Sequence, residues 1–326
     1  MAIAKKFLVF ISIALLSISA APSSRADDFS GWLEQFKQEA IASGLSAASV
    51  GAAMDQISPN EEVIALDQKQ PEDTITFEEY ITKTLSAQRI REGRRLLERH
   101  LDILHDASMR YGVPPQIIVA LWGMESNFGR NTGGFSVIQS LTTLAYEGRR
   151  ASFFRKELLA ALQILETEHM SSDYLEGSWA GAMGQCQFMP STYLKHAIDY
   201  DGDGHRDIWG NEKDVFASIA NYLTIEGWKN NQSWGREVRL TKKISSDKVG
   251  LKYTKTLAQW QKLGVRTSNK KPLPNRPMPA SLIQPDGFDG RSFLVYDNFR
   301  ALMWWNASTY FALSVSLLAD QISSSQ

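Results

Sequence analysis

Glu125 follows a long uncharged stretch, Pro115 to Met124. Within it, Ile117–Met124 (IIVALWGM) is apolar throughout, which predicts a helix buried on all sides, opened by Val113-Pro114-Pro115. The polar, glycine-containing stretch from Gly129 to Gly134 predicts a loop. A carboxyl group at that junction loses water, which disfavours its charged form and raises its pKa. A carboxylic acid that keeps its proton near neutral pH can pass it to a leaving group, as a glycosidic general acid must. The alternative is structural: a helix-end glutamate paired to an arginine such as Arg130.

A second cluster of chemistry-bearing residues is Asp199-Tyr200-Asp201-Gly202-Asp203-Gly204-His205-Arg206-Asp207-Ile208. Asp199, Asp201 and Asp203 stand at positions 1, 3 and 5 of an EF-hand-like loop. Gly204 stands at the sharp turn of position 6, and the His205 carbonyl would serve at position 7. Position 12 is Gly210 rather than the bidentate glutamate of such loops. An acidic, solvated turn is the alternative. Arg89, Arg91, Arg94, Arg95 and Arg99 form a basic run that could meet an anion, or could be a solvated helix face paired to Glu92 and Glu98. The single cysteine, Cys186, excludes an intrachain disulfide and a CxxC zinc site. With no histidine close in sequence, it reads as a packed thiol rather than a nucleophile.

The elements that hold these residues are mostly helical. Phe29, Trp32, Phe36, Ala40 and Ile41 recur at three- and four-residue spacing, predicting an amphipathic helix. Ile81–His105 reads as one longer charged helix. Further helices are expected at about Ser140–Tyr146, Ala151–Glu168, from Ser191, and at Asp214–Glu226. Beyond Gly227 the segments Val238–Leu240, Leu251–Tyr253 and Phe293–Tyr296 read as short strands between prolines, before a last helix at about Ala307–Ile322.

The 326 residues suit about two domains. The 43% hydrophobic and 22% charged residues are a globular balance, and the near-equal 35 basic and 36 acidic side chains give no pointer to nucleic acid. Lys5 and Lys6, the uncharged run Phe7–Ala20 and the small residues before Asp27 read as a secretory signal peptide, too short to span a bilayer comfortably. Cleavage after Ala20 and retention as an N-terminal anchor are the alternatives. No cysteine lies near the cleavage site, so no lipid anchor is expected, and the mature protein is expected to be soluble in a periplasm.

Trp122-Gly123-Met124-Glu125-Ser126-Asn127-Phe128-Gly129-Arg130, then the stretches AGAMGQCQFMPS, DYDGDGHRDIW, SIANYL and WNASTY, follow one another in an order that resembles the lytic murein transglycosylase B family from about residue 28 to 322. The resemblance implies a mainly α fold: a lysozyme-like helical catalytic core, an additional helical domain and a small β-containing insertion. The expected organisation is a signal peptide at 1–26, an N-terminal helical region at 27–110 and the core at 111–227, with its calcium-type loop at 199–214. The insertion follows at 228–298, and a C-terminal helix at 299–326 returns to the helical body.

The resemblance also implies a reaction and its residues. Glu125 would act first as acid and then as base on the bond between N-acetylmuramic acid and N-acetylglucosamine of peptidoglycan, leaving a 1,6-anhydro sugar without consuming water. Gln187, Ser178, Tyr222, Asn306 and Tyr80 match substrate-side residues, and Arg149 and Arg150 match a pair that could meet the peptide stems. Asp214 matches the aspartate that closes the calcium loop, so the expected metal set is Asp199, Asp201, Asp203, His205 and Asp214 around a structural calcium ion, with no cofactor required for chemistry. The expected partner is the peptidoglycan glycan strand, with neither nucleic acid nor a stable membrane anchor after signal cleavage. A goose-lysozyme-like muramidase on the same scaffold and a catalytically silent peptidoglycan-binding protein are the two other readings.

Overall fold

The computed structural model describes residues 25–69, 75–147 and 149–324. The signal peptide expected at 1–26 lies outside them except for its last two positions. Six helices open the described chain: α1 (Arg25–Ala42), α2 (Ala47–Met54), α3 (Glu61–Gln68), α4 (Phe77–Thr84), α5 (Ala87–Arg99) and α6 (Leu101–Tyr111). Their starts are written in side-chain oxygens. Ser46, Asn60, Thr76 and Ser86 each accept a backbone N–H of the helix they precede, and Thr76 forms a reciprocal box with Glu79. The expected apolar stripe of α1 buries Phe29, Phe36 and Ala40.

The single helix expected across Ile81–His105 is instead three. Ser86 accepts the Arg89 N–H and starts α5, while His100 ends it; the His100 ring lies edge-on against Trp122 and Phe216, at 5.9 and 5.4 Å between centroids. A capping hydroxyl and a wedge of tertiary packing override the continuous charged pattern.

The middle of the chain holds α7 (Pro115–Ser126), β1 (Phe135–Ser136), α8 (Val137–Glu147), α9 (Ala151–Thr167), β2 (Glu176–Gly177), α10 (Pro190–His196) and α11 (Glu212–Ile225). Ile117 to Gly123 are all buried, so α7 forms the axis around which α5, α6, α11 and α14 (Thr309–Ser323) pack. β1 and β2 pair antiparallel, Phe135 opposite Gly177.

A five-stranded antiparallel sheet of order β4-β6-β7-β3-β5 follows: β3 (Gly235–Leu240), β4 (Lys255–Thr256), β5 (Val265–Thr267), β6 (Pro279–Ile283) and β7 (Ser292–Val295), with α12 (Leu257–Lys262) between β4 and β5. It has its own small core around Trp260, whose indole donates to the Ala280 carbonyl. Leu251–Tyr253, expected as a strand, forms a turn instead; Gly250 donates to Leu282 there and pairing resumes at Lys255. The expected last helix is α14, capped by Ser308, and a separate helix, α13 (Asp297–Trp305), precedes it across Asn306–Ser308. Among the described residues, no helix is long and apolar enough to cross a membrane.

Candidate active site

Glu125 sits in the last turn of α7, where the chain turns sharply. Asn127, Phe128 and Gly129 all have positive φ (51°, 60° and 78°), a costly conformation for phenylalanine. Packing holds them there. The Ser126 hydroxyl donates to the Trp122 carbonyl and accepts the Gly129 N–H, and the Phe128 ring lies edge-on to Trp122. Gly123 makes room for that ring: a Cβ would sit 2.5 Å from its Cε1. The turn leaves Glu125 half-buried, and burial pushes its carboxyl up to about 7. The C-terminal end of a helix, with its unpaired carbonyls, is also the wrong pole for an anion.

One bond opposes that shift. The Trp305 indole, at the end of α13, donates to Glu125 Oε1 at 2.6 Å and favours the carboxylate. The sequence reading missed this residue, although it lies inside the WNASTY stretch beside Asn306. Arg130, offered as a partner for Glu125, pairs with Glu92 instead, and Glu92 is held at about 2.

Of the other expected residues, Tyr80 feels the Glu125 charge and Tyr222 reaches the site through Trp305. Tyr80, on α4, is half-buried, and burial and the Glu125 charge hold its phenol above the ordinary value. Tyr222, on α11, lies 4.7 Å from the Trp305 ring and donates its hydroxyl to the Trp304 carbonyl at 2.7 Å. Asn306 is exposed and accepts the Ser308 N–H. Gln187 occupies a left-handed position (φ 50°) in the tight hairpin where Met183 and Phe188 exchange backbone bonds. Its amide donates to the Thr132 and Gly184 carbonyls, tying that hairpin to the loop after α7. What it can offer a sugar is therefore its carbonyl oxygen. Ser178 accepts the Ala182 N–H and rims the same hairpin.

The arginine pair stands apart from this group: Arg149 lies against Asp67, and Arg150 lies over the Phe153 and Phe154 rings. In the basic run, Arg95 pairs with Glu92, and Arg89 and Arg94 donate to the Thr84 and Gln321 carbonyls. Cys186 is fully buried with its thiol pushed well up, a packed group as expected.

In the acidic loop, Asp199, Asp201 and Asp203 each bring an oxygen within 4.8 Å of the others. Asp199 accepts the Gly202 and Gly204 N–H groups and Asp203 accepts that of His205, so the turns aim these carboxylates inward. This is a hard oxygen set suited to calcium. Asp214 does not join those three. Fully buried, it accepts the Tyr200 N–H and the Asp207 N–H, both at 2.8 Å, and clasps the two ends of the loop. Burial, despite those two bonds, raises its carboxyl to about 6. The loop reaches the site through Gln185, which accepts from the Trp122 indole and donates to the Trp209 carbonyl.

The model of the transglycosylase SLT domain matches residues 28–320. The chain is 32% identical over 247 residues to the membrane-bound lytic murein transglycosylase B of Escherichia coli (strain K12), a match covering 74% of this chain and 66% of that protein, just under two thirds of its length. It is similar to the solved structure of SltB3 from Pseudomonas aeruginosa in complex with NAG-NAM-pentapeptide, with a TM-score of 0.88 and 44% identity over 91% of this chain and 80% of that one. The Escherichia coli lytic transglycosylase Slt35 has been solved in complex with bulgecin A and in complex with calcium. It is similar with a TM-score of 0.76 and 29% identity over 89% of this chain and 92% of that one.

Proposed function

The chain belongs to the transglycosylase SLT domain family of lytic murein transglycosylases, and from that membership we propose that it cleaves the bond between N-acetylmuramic acid and N-acetylglucosamine of peptidoglycan, leaving a 1,6-anhydro end, with Glu125 as its one acid and base. The observation that carries the reading is the Glu125 carboxyl, half-buried at the end of α7, titrating at about 7 and bonded on one oxygen by Trp305. Protonated Glu125 gives its proton to the glycosidic oxygen as the C1–O bond breaks. The carboxylate so formed takes the proton of the C6 hydroxyl as that oxygen bonds to C1. One bond replaces another, and no water is consumed. The 2-acetamido group of the sugar supports C1 between the two steps.

A retaining or inverting hydrolase with two carboxylates would need a second one flanking the bond. The other buried carboxylates among the described residues have partners of their own: Asp67 with Arg149, Glu157 with Ser191, Glu168 with Arg206, and Asp214 with the loop backbone. Tyr80, Ser178, Gln187, Tyr222 and Asn306 face the sugar in this reading, and Arg149 and Arg150 take the peptide stem farther out. A structural calcium ion is held by Asp199, Asp201, Asp203 and the His205 carbonyl, with Asp214 closing the loop around it. The signal peptide expected at 1–26 delivers the enzyme to the periplasm, where its polymer is.

Mass spectrometry of soluble fragments, released from purified peptidoglycan by wild type and by Glu125→Gln, tests the reading. Anhydro-muropeptides from wild type, reduced about 10²–10⁴-fold in the variant, support it. Products heavier by one water would make the enzyme a muramidase. Undiminished release by the variant would remove Glu125 from the chemistry.

A further inference from the structure

Trp305 reaches Glu125 from the far end of the chain and arrives in a fixed pose. Its ring is held against Tyr222 and Phe188, at 4.7 and 5.3 Å between centroids. The neighbouring Trp304 carbonyl accepts the Tyr222 hydroxyl, which pins the backbone just before the indole. An indole can only donate, so it favours the form of the neutral acid in which Oε1, the oxygen it touches, is the carbonyl, a better acceptor than an acid hydroxyl oxygen. A proton on Oε1 would compete with that N–H for the same side of the carboxyl group.

We propose that Trp305 is a positioning residue for proton transfer: its N–H reserves Oε1, so that Oε2 gives the proton to the glycosidic oxygen and takes the one from the C6 hydroxyl. The inference rests on Glu125 being the acid and base proposed above. It makes the reaction one-sided, because both transfers use the same lone-pair direction of one oxygen and the carboxyl need not rotate between them. It also gives Trp305 an electrostatic part. A hydrogen bond to a carboxylate is stronger than one to a neutral acid, so Trp305 favours the charge that appears when the proton leaves.

Asp214, across the Cys186 thiol from Glu125 and raised to about 6, also titrates near neutral pH, but it bonds the loop backbone and not Trp305; the other titratable groups around Glu125 do not change charge there. Burial holds the phenols of Tyr80 on α4 and Tyr310 on α14 above their ordinary values. Tyr222 on α11 is pushed up to about 12, and the Cys186 thiol is pushed well up too. Arg89 on α5, beside Met124 and Tyr80, stays charged. His196 behind Tyr222 is lowered to about 4 and is neutral. A pH effect of changing Trp305 is therefore read on Glu125.

Trp305→Phe keeps an aromatic ring and removes the donor; Trp305→Gln restores an N–H donor that does not titrate. Each is assayed for the pH dependence of kcat and kcat/KM on a soluble glycan fragment. In Trp305→Phe the alkaline limb should move up by about one pH unit. Its kcat should fall about tenfold with KM within about twofold, and Trp305→Gln should move the limb part of the way back. An alkaline limb that stays at its wild-type position in Trp305→Phe overturns the inference. Infrared difference spectra of wild type against Glu125→Gln give a second measurement that needs no Trp305 variant to fold. The protonated Glu125 carbonyl should absorb as a hydrogen-bonded one, and a free-carbonyl frequency overturns the inference. If Glu125→Gln keeps its activity, the reading of Glu125 fails and this one with it. If that variant is inactive and the limb of Trp305→Phe does not move, only the part given to Trp305 is lost.

Discussion

At the scale of the residue, one carboxyl group carries the chemistry, and its environment sets when it works. With Glu125 titrating at about 7, its acid form is present below that pH and lost above it. On soluble glycan, kcat/KM should fall about tenfold per pH unit on the alkaline side of neutrality; a profile flat to pH 9 would contradict the assignment. The same shift has a cost in stability. The folded protein binds the Glu125 proton more tightly than the unfolded chain, where the group titrates at its ordinary value. The stability it contributes is therefore complete below that ordinary value and is lost as pH rises through about 7. Glu125→Gln removes the titration. Its melting temperature should match wild type near pH 4 and exceed it by about 3 °C at pH 8; a difference that does not grow with pH would speak against a buried, raised carboxyl.

At the scale of the element, a glycine in α7 and an acidic loop do the positioning. Gly123 admits the Phe128 ring that holds the left-handed turn after Glu125. Gly123→Ala should destabilise by about 1–3 kcal/mol through overpacking and lower kcat more than KM, because the ring can move only by moving the turn. Equilibrium unfolding and steady-state kinetics measure the two effects. The calcium loop is expected to act on stability rather than on chemistry. At calcium about 100-fold above Kd, an ion binding only the folded state adds about 2.7 kcal/mol. Chelation should therefore lower the wild-type melting temperature and leave that of Asp201→Asn unchanged, with the product spectrum the same throughout. A changed product spectrum on chelation would give the loop a part in the reaction.

At the scale of the whole molecule, the site is assembled by contacts from opposite ends of the chain. Asp286, between β6 and β7, accepts the Phe77 and Glu78 N–H groups that open α4, and the Tyr310 hydroxyl from α14. The sheet thereby fixes the helix that carries Tyr80. Asp286→Ala should cost about 1–2 kcal/mol, the worth of a lost helix cap. It should raise KM more than it lowers kcat, since it loosens a wall of the cleft and leaves Glu125 in place. Denaturant unfolding and kinetics on glycan fragments test this, and an unchanged KM would mean that the sheet does not brace the cleft.

The sequence by itself determined what depends on local order. The apolar run before Glu125 specified a buried helix ending in a carboxyl group, alternate aspartates with glycines specified a tight acidic turn, and the ordered motifs specified the family and its mainly α, lysozyme-like fold. Tertiary structure decided what depends on partners far apart along the chain. It parted α5 from α6, because the break at His100 is fixed by Trp122 and Phe216. It gave Arg130 to Glu92 and Trp305 to Glu125, and it made Asp214 the clasp of its loop. A side chain's type and period can be read from its neighbours in sequence, but its hydrogen-bond partner is set by the packing of helices that meet only after the chain has folded.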